Sequence, residues 1–74
     1  MVRMDFRDGV TPFALLEVVS RFKRMRPGET IEVLGNDREL RQDLTRVLPA
    51  GCLHVAAEDG AGEFVARIRK PASH

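Results

Sequence analysis

Four short stretches of this chain alternate apolar and polar residues, and two longer ones repeat with helical period. Val2, Met4 and Phe6 alternate with Arg3, Asp5 and Arg7, which predicts a half-buried strand that Asp8-Gly9 ends. Leu15, Val18, Val19, Phe22 and Met25 recur at helical spacing, with Glu17, Arg21 and Arg24 on the opposite side. They predict an amphipathic helix from Pro12 to about Met25. Thr11 has the chemistry of its N-cap, and Pro12 suits the first helical position because no N–H is needed there. Pro27-Gly28 stops this helix, and Thr30 to Leu34 reads as a second strand with Ile31 and Val33 on one face. Asp37 is the expected N-cap of a second helix whose apolar stripe is Leu40, Leu44, Val47 and Leu48. Pro49-Ala50-Gly51 ends it. Leu53, Val55 and Ala57 are expected on one strand face, with Cys52, His54 and Ala56 on the other. A connection through Glu58 to Gly62 leads to a last strand in which Phe64, Ala66 and Ile68 share a face.

The order β-α-β-α-β-β predicts a parallel first strand pair, joined by a right-handed helical crossover, and an antiparallel last pair. Each helix has one apolar stripe and each strand one apolar face. The solution is an α+β two-layer sandwich, with two helices on one side of a four-stranded mixed sheet. The other sheet face is expected to carry Arg3, Asp5, Glu32, Arg67 and Arg69 toward solvent. Residues 1–70 read as a single domain, and residues 71–74 as a frayed tail.

Composition narrows the function classes. The chain has 74 residues, of which 43% are apolar and 31% charged, as expected for one small globular domain. The 12 basic and 11 acidic residues nearly balance, so global charge gives no push toward nucleic acid or an anionic membrane. No apolar run spans a bilayer and no signal-peptide block opens the chain, so the cytoplasm is the expected location. The single cysteine, Cys52, excludes an internal disulfide and a multi-thiolate metal site.

Set against known families, the spacing of several landmarks resembles the TusA/SirA/YedF family of small sulfur-carrier proteins over nearly the whole chain. That family opens its first helix with Cys-Pro-x-Pro, and this chain has Thr11-Pro12-Phe13-Ala14 there. Asp5 precedes Thr11 by six residues and Pro27-Gly28-Glu29 follows sixteen residues after it, as an Asp and a Pro-Gly-Glu turn flank the family cysteine. Asp37-Arg38 and Asp43-Leu44-Thr45 correspond to the family's Asp-Pro and Asp-Ile-Pro, and Ile68-Arg69-Lys70 to its Ile-Arg-Lys. Gly51-Cys52 is similar to its Gly-His. The resemblance implies a sheet of order 1-2-4-3 with the last strand antiparallel to the rest. It also implies partners among sulfur donor and acceptor proteins. Two departures bear on function: the sulfur-bearing cysteine is Thr11, and the second motif proline is Ala14.

A sulfur carrier needs a thiolate to attack a donor persulfide, and a helix N-terminus helps by lowering the thiol pKa. A threonine hydroxyl forms no persulfide and stays protonated without a strong base. Thr11 therefore reads as a cap rather than a nucleophile, and the chain as a non-catalytic interaction or regulatory module in sulfur trafficking. Cys52 is the fallback thiol of the alternative, a working sulfurtransferase. Cys52 and His54 would share a strand face, but two ligands do not make a zinc site, and no metal or cofactor is expected. Arg21, Lys23, Arg24 and Arg26 form a basic cluster at the end of the first helix. It is a possible contact for a protein partner. The third reading is an RNA-binding module, by analogy with other two-layer folds. The near-neutral charge and the lack of interleaved aromatics weigh against that third reading. Oligomeric state is left open.

Overall fold

A computed structural model describes residues 2–8 and 13–72. The elements run β1 (Val2–Asp5), α1 (Ala14–Arg24), β2 (Thr30–Gly35), α2 (Arg38–Val47), β3 (Leu53–Glu58) and β4 (Phe64–Arg69). They form a four-stranded sheet in the order β1-β2-β4-β3. β1 pairs parallel with β2, and β4 pairs antiparallel with both β2 and β3. This is the mixed sheet expected from the chain order, and the strand order is the one that the family resemblance implied. No helix among the described residues is long and apolar enough to cross a membrane.

The core forms where the apolar stripes of the helices meet the apolar faces of the strands. Val18 of α1, Leu44 of α2, Ile31 and Val33 of β2, and Ala66 and Ile68 of β4 are fully buried there. Each buried Val, Leu or Ile contributes roughly 1.5–3 kcal/mol relative to exposure, so these few side chains dominate the stability of so short a chain. Phe64 closes one end of the core. It lies opposite Gly35, where an added Cβ would sit 2.5 Å from a Phe64 ring carbon, so a glycine lets ring and strand approach.

Several local expectations hold. Asp37 caps α2, its carboxylate accepting from the Glu39 N–H at 2.9 Å. Others need correction. α1 starts at Ala14, with Phe13 at the N-cap position, two residues later than the expected start at Pro12. Thr11 and Pro12 themselves lie outside the described residues, as do Ser73 and His74 of the expected tail. Val47 was expected in the buried stripe of α2 but is 51% exposed. The chain turns extended at Leu48, which swings that side chain into the core and leaves Val47 at the rim.

In β3, Ala57 was expected beside Leu53 and Val55. A register shift between Val55 and Ala57 places Ala57 opposite Val65 and leaves it exposed. An extra residue in one strand of a pair reverses which side the following side chains take. Cys52 was expected on the face of His54. It lies instead just before β3, after a turn at Gly51 whose positive φ of 86° suits glycine, and it points into the core. His54 is exposed on the opposite side of the sheet, in register with Arg67.

Candidate functional site

The chemistry-bearing residues fall into three places: the helix α1, the thiol of Cys52, and the sheet face not covered by helices. α1 carries the most unusual surface. Phe13 and Leu16 are each 62% exposed at its start, so two large apolar side chains stand in solvent there. Leu16 escapes the core because Ala14, Val18 and Phe22, on the buried side of the helix, fill it. Along the edge of the domain, Val2 and Met4 of β1 and Leu16, Ser20 and Arg24 of α1 line an open groove of about 440 Å³. Glu17 and Arg21 complete its rim.

The basic cluster continues from this groove. Arg21 is half-buried, and Lys23, Arg24 and Arg26 are exposed. Among the described residues, ion pairs join Arg3 and Arg67 to Glu32, Arg7 to Asp5, Arg41 to Glu58 and Arg46 to Asp43. None of the four cations of the cluster takes part. Arg21, Lys23 and Arg24 lie in the last turn of α1, where cations interact favourably with the helix C-terminus. Lys70 joins them at that end: its ammonium donates to the Phe22 carbonyl at 3.0 Å and stands 4.4 Å from the centre of the Phe22 ring. The two residues are 48 positions apart, so no local pattern signals the contact.

Cys52 is buried, at 7% exposure, among the apolar side chains of the core. Its amide donates to the Pro49 carbonyl and its carbonyl accepts from Arg69, so main-chain bonds on both sides fix its inward position. Its sulfur is therefore shielded from solvent by the core. Cys52 and His54 are not brought together, and no group of three or more His, Cys, Asp or Glu able to hold a metal occurs among the described residues.

The open sheet face is a paired network rather than a set of free charges. Glu32, expected to face solvent, is 8% exposed. It sits on β2 with Arg3 on one neighbouring strand and Arg67 on the other, in register with both. Arg3 Nε donates to its Oε1 at 2.9 Å, and Arg67 Nε lies 3.5 Å from its Oε2. The two arginines cover the carboxylate and supply the bonds that its burial requires. Beside this network, Arg7 grips Asp5 with its guanidinium and its own main-chain N–H.

These bonds, the guanidinium contact first, hold the Asp5 carboxyl at about 2, below its usual 3.8. A carboxylate depressed in the folded state adds stability above its unfolded pKa and loses it as pH falls through the folded one. That contribution is therefore present above about pH 4 and disappears toward pH 2. In Arg7→Ala the Asp5 titration, followed by carboxyl-carbon NMR, is expected to move up toward 3.8. An unchanged midpoint would mean that Arg7 is not the cause.

With this geometry in hand, comparison of the chain with protein-family models, curated proteins and solved structures finds no match.

Proposed function

We propose that this chain is a TusA/SirA-like scaffold that works by docking to sulfur-transfer proteins and carries no sulfur itself. The observation that carries this reading is the division of its surface chemistry. The only thiol of the chain is buried in the core, while the helix that follows the family's cysteine position exposes Phe13, Leu16 and cations that form no ion pair among the described residues. A carrier needs the reverse: an accessible thiol at the helix start. Threonine at position 11 retains the polarity of that site without its nucleophile. Exposed aromatic and aliphatic anchors beside arginines are typical of docking surfaces, where charge steers encounter and apolar anchors hold the complex.

The same observations bear on the alternatives. A sulfurtransferase using Cys52 would have to open the core to expose its acceptor. An RNA-binding sheet would need free cations and stacking rings, whereas Arg3 and Arg67 are held by Glu32. Affinity capture from the native cell, with the retained proteins identified by mass spectrometry, tests the docking reading. Sulfur donor or acceptor proteins are expected on the wild-type chain and are expected to be lost from the double variant Arg21→Glu/Arg24→Glu. Retention of no sulfur-transfer protein, or capture indifferent to the charge reversal, would refute it.

A further inference from the structure

We infer that the groove between β1 and α1 takes one kind of partner segment, an apolar side chain followed closely by carboxylates. Val2 and Met4 of β1, with Leu16 of α1, supply the apolar part of its lining. Val2 is 40% and Leu16 62% exposed, so the free domain leaves apolar surface in water that an inserted side chain would cover. At about 440 Å³ the groove falls in the usual range of ligand pockets, roughly 300–1,000 Å³.

The charges on the rim give the occupant a direction. Glu17, Arg21 and Arg24 follow one another at spacings of four and three residues, so all three lie along one side of α1. With a rise of about 1.5 Å per residue, Arg21 stands about 6 Å and Arg24 about 10 Å further along the helix axis than Glu17. The groove is thus acidic toward the start of α1 and basic toward its end. Neither arginine forms an ion pair among the described residues. A guanidinium is best matched by a carboxylate, through two parallel hydrogen bonds. Glu17 turns the same carboxylates away from the other end. The basic cluster therefore divides: Arg21 and Arg24 line the groove, whereas Lys23 and Arg26 do not.

The same lining favours a protein segment as occupant. The groove is open to solvent, so a free small molecule would keep much of its surface in water, whereas a segment arrives already held by its own fold. Among the described residues no aromatic ring lines the groove to stack on a base, and Glu17 repels a run of phosphates. Such a segment belongs to the partner of the docking reading, on which this inference rests.

Titration of the full chain with a peptide, followed by methyl NMR, tests it. The probe is the acetylated, amidated peptide Gly-Leu-Leu-Glu-Glu-Gly. It is expected to shift the Val2, Met4 and Leu16 methyl signals and to bind with a Kd of about 1 mM or tighter. Counterparts with Ser for both Leu, or Lys for both Glu, are expected to bind at least about tenfold more weakly, a comparison that needs no variant. Arg21→Glu/Arg24→Glu is expected to weaken the probe by about tenfold or more. Lys23→Glu/Arg26→Glu makes the same change of charge outside the groove, and is expected to alter Kd by no more than about threefold at about 0.15 M salt, where distant charges are screened. The titration contains no sulfur-transfer protein, so it succeeds or fails separately from the capture experiment. Methyl signals that do not move with up to about 10 mM probe overturn the proposal. So does equal binding of either counterpart, or an equal loss from the two charge reversals.

Discussion

Leu44→Ala is expected to destabilise the domain by about 2–5 kcal/mol, whereas Val47→Ala, one turn further along α2, is expected to change stability by no more than about 0.5 kcal/mol. Leu44 is fully buried and belongs to the core; Val47 is 51% exposed. Removing the Leu44 side chain costs its transfer free energy and leaves a cavity between helix and sheet that rigid neighbours fill only in part. The loss is large against the whole: a chain of this length has a total stability of roughly 4–11 kcal/mol. Urea denaturation separates the two variants. The Leu44→Ala midpoint should fall steeply with little change in slope, and that of Val47→Ala should stay near the wild type. Equal effects would mean that both residues share the buried stripe, as periodicity alone suggests.

That pair of residues shows what periodicity conveys and what it omits. The alternation of Phe64, Ala66 and Ile68 was readable because an unbroken strand keeps its faces, and all three are buried. Asp37 was readable as a cap because capping is a contact between near neighbours. The misread positions lie where the chain leaves its regular path. A bulge moves Ala57, a turn at Gly51 redirects Cys52, and the extended step at Leu48 releases Val47. Each is a change of backbone direction that the residue pattern does not encode.

The other gaps are contacts across long sequence distance. The covering of Glu32 by Arg3 and Arg67 needs the strand order before it can be seen. The docking of Lys70 on the end of α1 needs β4 to finish beside that helix. For the candidate site, the basic cluster was legible, because helical spacing gathers it. Leu16 falls outside the apolar stripe of α1 and is exposed, as its helical position implies.

The second large effect concerns position 11, which lies outside the described residues and is assigned by resemblance alone. Thr11→Cys is expected to convert a chain that accepts no sulfur into one that does. By that resemblance, a thiol at position 11 is expected to lie near the amide donors and the positive end of a helix dipole, which favour its thiolate. That thiolate attacks the outer sulfur of a donor persulfide, a new S–S bond forms, and the donor cysteine leaves as a thiolate. Phe13, not residue 11, holds the N-cap position of α1, so the substitution is expected to cost no more than about 1 kcal/mol of stability. Nothing comparable is open to Cys52, whose sulfur has no access to a donor without disruption of the core.

The most direct measurement is intact-protein mass spectrometry of wild type and Thr11→Cys after incubation with a cysteine desulfurase and cysteine, before and after reductant. The wild type is expected to show no added sulfur, and Thr11→Cys a gain of one sulfur atom that reductant removes. A reductant-removable sulfur on the wild-type chain, located at Cys52, would contradict a scaffold that docks without carrying.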